Sequence, residues 1–220
     1  MKKSLQLKPL LLSLAVAGSS MAAIAPAAVQ AEVSYNAAVS NFYLWRGTDL
    51  SNGQGMVSGG ADYAHDSGLY AGVWGASEDD GTEFDLYAGY GMTSGDFGLN
   101  VAYWAYFYPS DGTKSNFSRA DGTLLSEYEV TGSYLDFSLT AMIETQDRED
   151  IYYVANYSIG PVGLSAGYYD FDADNADYSH YNISYAATDN LSFTISKAQG
   201  SGLADEDKKP LLNVAYSFTF

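Results

Sequence analysis

From residue 33 onward, apolar and polar residues alternate in short runs, and about twelve such runs can be counted. Their approximate spans are 33–45, 55–64, 68–77, 83–91, 96–107, 126–132, 134–144, 150–158, 162–170, 177–186, 190–197 and 211–220. One parity is apolar throughout: Val33, Tyr35, Ala37 and Val39 in the first run, Leu69, Ala71 and Val73 in the third, Leu135, Phe137, Leu139 and Ile143 in the seventh. The opposite parity carries Ser34, Asn36, Asp62, Asp85, Asn100, Glu127, Glu129, Asp136, Asn182 and Thr194. Successive strand residues point to opposite faces, so each run predicts a strand with one apolar and one polar side. Helical periodicity is hard to find.

The last run continues to the final residue. Phe220, Phe218, Tyr216, Val214 and Leu212 form one face, and Thr219, Ser217, Ala215 and Asn213 the other. An edge or sandwich strand would also show this pattern, so the connections have to decide. Those after even-numbered runs are tight (HDSG, MTSGD, TG, SIGP, ATDN). Those after odd-numbered runs are mostly longer and acidic (RGTDLSNGQ, SEDDGTE, YPSDGTKSNFSRADGTLLS, TQDRED, DFDADNAD, AQGSGLADEDKKP). A soluble sandwich has no reason to collect its long connections at one end, whereas a transmembrane barrel has short periplasmic turns and long outer loops. The fold class expected is all-β: an up-and-down antiparallel transmembrane β-barrel of about 12 strands, its last strand closing onto its first. Tyr216, Phe218 and Phe220 would then sit at an interfacial aromatic girdle, and a terminal Phe with alternating aromatics resembles the signal read by the barrel assembly machinery.

Composition narrows this further. The chain opens with Lys2 and Lys3, an apolar run around Leu10 to Ala17, and the small-residue ending Val29-Gln30-Ala31, the pattern of a cleaved secretory signal peptide over 1–31. The barrel domain expected is 32–220. Removing Lys2, Lys3 and Lys8 with the leader takes the formal charge from −17 to −20. A chain so acidic repels nucleic acid. Its 20 Tyr, 10 Phe and 3 Trp are far too many for a disordered acidic segment. With no Cys, the exported domain is not a disulfide-stapled scaffold.

The stretch SNFYLWRGTDLSNGQGMVSGGADYAHDSGLYAGVWGAS, then EFDLYAGYG and YWAYFYP, carries Ser40-Asn41, Tyr43, Trp45-Arg46-Gly47, Gly59-Gly60, Asp62-Tyr63, His65, Ser67-Gly68, Tyr70, Gly72, Trp74, Glu83, Asp85, Tyr87, Gly89-Tyr90 and Tyr108-Pro109. On these residues the chain resembles the TorF-type porin family of Gram-negative outer membranes. The resemblance implies a porin-like barrel in the cell outer membrane and names no substrate.

His180 lies beside Ser179 and Asn182, inviting comparison with the Ser/His/Asn site of outer-membrane phospholipases, but alternation puts Ser179 and His180 on opposite faces. His65 and the Asp79-Asp80 pair suggest the acidic-plus-histidine site of outer-membrane proteases, yet they fall at opposite rims. Asp170, Asp172, Asp174 and Asp177 form a crude oxygen cluster for Ca²⁺ that lacks the glycine and closing glutamate of an EF-hand loop. No enzyme, cofactor or metal centre is expected. Arg46 points inward by parity, toward Asp62 and Asp85, as a wall salt bridge or a constriction. Asp62, Asp85, Glu127, Glu129 and Asp136 would give the lumen a negative potential, glycines 60, 72, 89, 163 and 167 would make room, and Tyr70, Trp74, Tyr87 and Trp104 would narrow or plug it.

The function expected is passive diffusion of small polar or cationic solutes. The alternative is a non-conducting surface or structural barrel whose acidic loops bind divalent cations, lipopolysaccharide or a partner. Expected partners are outer-membrane lipid, lipopolysaccharide, the assembly machinery and small solutes.

Overall fold

Strands whose two faces differ must give each face a different solvent, and a closed barrel does so without leaving an unpaired edge. The computed structural model describes residues 32–79, 81–109, 124–146, 150–173 and 176–220. Within them the strands are β1 (Glu32–Ser40), β2 (Leu44–Trp45), β3 (Thr48–Asp49), β4 (Met56–Ala64), β5 (Leu69–Glu78), β6 (Gly81–Ser94), β7 (Phe97–Phe107), β8 (Leu125–Tyr134), β9 (Phe137–Glu144), β10 (Ile151–Ile159), β11 (Val162–Asp170), β12 (Tyr178–Ala186), β13 (Leu191–Gly200) and β14 (Leu211–Thr219). β2 and β3 pair only with each other. The other twelve form one closed antiparallel barrel in sequence order.

The closing seam is short and in register, from Asn36 opposite Thr219 to Ser40 opposite Ala215. It is extended by Phe220, whose N–H donates to Tyr35 O at 2.9 Å, while Tyr35 N–H donates to Phe220 O at 3.3 Å. The twelve-strand count and the closure agree with the periodicity.

The tight turns gather at one end. At one of them Tyr134 pairs with Phe137, which leaves Leu135 and Asp136 as the two turn residues, with Leu135 in the left-handed region at φ 50°. The opposite end carries the segments after β1, β5, β7, β9, β11 and β13. One of these is shorter than expected: Glu78 pairs with Gly81, so only Asp79-Asp80 joins β5 to β6.

The outer face is continuously apolar. Val33, Val57, Leu69, Leu86, Leu99, Val130, Leu139, Ile183, Ile195 and Leu212 all stand exposed on it. Aromatic rings gather toward both rims, Tyr35, Tyr63, Phe97, Tyr134, Phe137, Tyr157 and Phe218 at the tight-turn end and Phe84, Tyr103, Tyr128, Tyr153 and Tyr168 toward the other. Such a surface is far too large an apolar patch for water and matches the lipid-facing band of a membrane barrel. Strands of mostly 8–11 residues are long enough, when tilted, to cross the hydrocarbon layer. The chain is a membrane-spanning β-barrel.

Candidate functional site

The first run of alternation does not continue to residue 45. Phe42-Tyr43-Leu44-Trp45 is apolar at four successive positions, and a strand between lipid and lumen has no place for that pattern. The chain bends at Ser40 instead, and residues 41–55 fold into the barrel. Ser40 Oγ donates to Phe42 O at 2.8 Å, and Asn213 Nδ2, from the lumen face of β14, donates to the same carbonyl at 2.9 Å. Phe42, Tyr43 and Leu44 are thereby buried, and so is Met56 where the segment rejoins the wall.

The inserted segment is a self-supported hairpin. Asp49 accepts from Ser51 N–H at 2.9 Å and from Gly53 N–H at 2.7 Å, while Ser51 Oγ accepts from Tyr43 N–H at 2.8 Å. At its tip Trp45 pairs with Thr48, and the two turn residues between them, Arg46 and Gly47, both have positive φ, 44° and 90°. This is the geometry of a type I′ turn, which favours Asn, Asp or Gly at its first position and not arginine. Gly47 has no substitute, because a Cβ there would overlap the His180 ring.

The hairpin tip carries Arg46 to the far wall. Its Nη2 donates to Glu127 Oε2 at 2.6 Å, with Met142 Sδ at 3.2 Å. Its Cζ lies 4.3 Å from the centre of the Tyr152 ring, 4.4 Å from Trp45 and 5.0 Å from Tyr169. Arg46 is 4% exposed, and its Nη1 has no hydrogen-bond partner among the described residues. Tyr106 donates to Glu127 Oε2 at 2.7 Å, Tyr43 donates to Glu83 Oε2 at 2.9 Å, and Ser196 Oγ reaches Gly47 O at 3.4 Å. Contacts from β6, β8–β14 and the hairpin itself thus span the lumen from wall to wall.

Between the hairpin and the tight-turn end, aromatic and acidic side chains from β4–β8 interlock. Tyr87 stacks on Trp104 with centroids 4.3 Å apart and donates to Asp62, which also accepts from Asn36 Nδ2 at 3.0 Å. Glu129 accepts from Asn100 at 3.0 Å, Trp104 Nε1 at 2.9 Å and Thr131 at 2.9 Å, and Tyr70 donates to Asn100 at 2.9 Å. The inward glycines make room for these rings. A Cβ at Gly72 would collide with Tyr87, one at Gly89 with Tyr70, and one at Gly167 with His180.

Of the residues read from the sequence, Asp62, Asp85, Glu127 and Glu129 face the interior, together with Tyr70, Trp74, Tyr87 and Trp104. Two expectations need correction. Asp136 lies exposed in the tight turn, because alternation ends where Leu135 turns the chain. Arg46 pairs with Glu127 and not with Asp62 or Asp85, because it rides on an inserted hairpin rather than on β1. His180 bonds Tyr152 Oη through Nε2 at 2.7 Å and stays on the lumen face. His65 bonds Ser67 in a tight turn, at the opposite rim from Asp79. Asp177 binds Tyr168 Oη at 2.9 Å and Phe171 N–H at 3.0 Å, Asp170 ends β11, Asp172 follows it, and Asp174 lies outside the described residues. Residues 1–31 and Asp80 also lie outside them. The hairpin itself was missed, and the broken alternation of Phe42 to Trp45 was the available signal.

The matching family model spans residues 24–160 and is described as "Bacterial protein of unknown function (Gcw_chp)". The chain belongs to the Gcw_chp family. The matched stretch takes in the hairpin, Glu127 and Tyr152. No curated protein matches. Among solved structures, the chain is similar to "KdgM porin" at 9% identity and a TM-score of 0.48, covering 86% of this chain and 97% of that one. It is also similar to OccAB2 of Acinetobacter baumannii at 11% identity and a TM-score of 0.37, covering 86% of this chain and 64% of that one.

Proposed function

We propose that this Gcw_chp protein is a porin-type channel of the outer membrane, for small polar or cationic solutes, held closed by its own segment 41–55. The observation that carries this reading is the Arg46 hairpin. It closes a lumen whose inward charges are otherwise acidic (Asp62, Glu83, Asp85, Glu127, Glu129), and it does so by a separable segment with its own internal support. A barrel meant only to be solid could fill its interior from the walls, as β4–β8 do here. The apolar outer belt and the TorF-type resemblance support the location, and an N-terminal signal over 1–31 and the assembly machinery would deliver the chain there. No covalent chemistry is assigned, since the imidazole of His180 is bonded to a tyrosine with Ser179 on the other face.

Acids on a narrow low-dielectric wall act on an ion more strongly than screened loop acids do. Planar-bilayer recordings test both points. The intact protein is expected to open rarely, and a variant with 43–53 replaced by a short Gly-Ser link to open persistently with cation preference. Asp62→Asn with Glu129→Gln in that background should lower the preference more than Asp170→Asn with Asp172→Asn. Silence of both the intact and the shortened protein would favour the alternative, a non-conducting barrel whose outer loops bind cations, lipopolysaccharide or a partner.

A further inference from the structure

The Arg46 site has the composition of a receptor for an organic cation. Two tyrosine faces from the wall, Tyr152 and Tyr169, have their ring centres 4.3 and 5.0 Å from the guanidinium carbon, and one carboxylate oxygen, Glu127 Oε2, accepts from Nη2 at 2.6 Å. Ring faces attract cations, most strongly when the cation has lost its water, and a planar guanidinium both stacks and donates to a carboxylate. All three groups belong to β8, β10 and β11, so they remain when the hairpin leaves. The occupant does not. It is delivered by a type I′ turn with arginine at a positive-φ position, a conformation that costs energy for a side chain of this kind. It is also incompletely satisfied, since Nη1 is buried without a partner among the described residues.

We infer that Glu127, Tyr152 and Tyr169 form a binding site for guanidinium-bearing solutes, that Arg46 is a tethered stand-in for such a solute, and that a free guanidinium displaces it and releases the hairpin. This rests on the channel reading above and gives it a solute class and a trigger. Ammonium ions fit less well, because they lack the flat surface that lies against the rings while one N–H donates to the carboxylate. A tethered competitor lowers the apparent affinity of the free ligand in proportion to how rarely the site is vacant.

The test uses the full refolded chain with ethylguanidinium as probe and ethylammonium, at equal ionic strength, as control. Trypsin cleavage after Arg46, identified by mass, reports release of the hairpin, and calorimetry reports binding. In the wild type, ethylguanidinium is expected to increase that cleavage saturably while ethylammonium does not. Arg46→Ala, which vacates the site, should bind ethylguanidinium about tenfold or more tightly than the wild type, and adding Tyr152→Ala should abolish the binding. If Arg46→Ala does not fold, Arg46→Lys, which keeps the charge and loses the flat surface, should release its hairpin at a lower ethylguanidinium concentration. Equal responses to the two ions, or binding that survives Tyr152→Ala, would overturn the site. Saturable binding with no bilayer current from any variant would keep the site and remove the channel, whereas current without binding would do the reverse.

Discussion

The wall built from β4–β8 and the wall built from β9–β14 enclose one lumen with opposite chemistry. On the first, Tyr70, Trp74, Tyr87, Trp104 and Tyr106 reach across the interior, and every inward acid named at the sequence level sits among them. On the second, the inward residues toward the tight-turn end are short: Ser138, Thr140, Asn156, Ser165, Asn182, Ser184, Thr194 and Asn213. The long side chains fill most of their half, and the hairpin leans on them as well, with the Tyr43 ring 6.0 Å from Trp74 and its hydroxyl donating to Glu83 at 2.9 Å. On the second wall the hairpin rests on Tyr169, His180, Ser196 and Asn213. The first wall fills its interior with its own rings, and the hairpin bridges from those rings to the second wall.

This contrast can be broken experimentally, and the largest effect is expected at the joint between the two walls. Glu127→Ala leaves Arg46 as a buried charge without its carboxylate, a loss of about 3–5 kcal/mol. The loss should fall on the hairpin rather than the barrel, so trypsin cleavage after Arg46 should become rapid while the heat-modifiable barrel persists on gels. Concurrent loss of the barrel would show that the hairpin is part of the wall and not a separable plug.

Next, Trp104→Ala should destabilise the barrel by about 3–5 kcal/mol, since it removes both the Tyr87 stack and a donor to Glu129. Urea unfolding in lipid vesicles would measure it. Gly72→Ala tests the same wall with one methyl group; because the Tyr87 ring occupies that space, it should cost about 1–3 kcal/mol. Gly132→Ala, with nothing within 4 Å, should lie within about 0.5 kcal/mol of wild type. Equal costs for the two glycines would mean that the rings do not pack as described.

A smaller effect than that of Trp104→Ala is expected on the other wall. Thr194→Val removes the hydroxyl partner of Ser184, a bond of 2.9 Å, and should cost about 1 kcal/mol. A cost near that of Trp104→Ala would erase the distinction between the walls.

Twelve strands, their faces and the crowding of long connections at one end were legible along the chain, because each depends on a period of two and on turn residues a few positions apart. The inward direction of Asp62, Asp85, Glu127 and Glu129, and of the rings Tyr70, Trp74, Tyr87 and Trp104, followed from the same period. Asp136 did not, since one turn residue resets the parity. The partner of Arg46 lies 81 positions away on another strand, and neither spacing nor composition points to it. The sequence by itself determined that this chain would close into a barrel with unlike faces, since alternation is a local property that every strand repeats. Only the tertiary structure decided what fills that barrel. Packing the interior depends on side chains from distant strands meeting in one volume, and the run Phe42-Tyr43-Leu44-Trp45, which alternation cannot place between lipid and lumen, buries itself there against Trp74 and Ala76 on one wall and Tyr169 on the other.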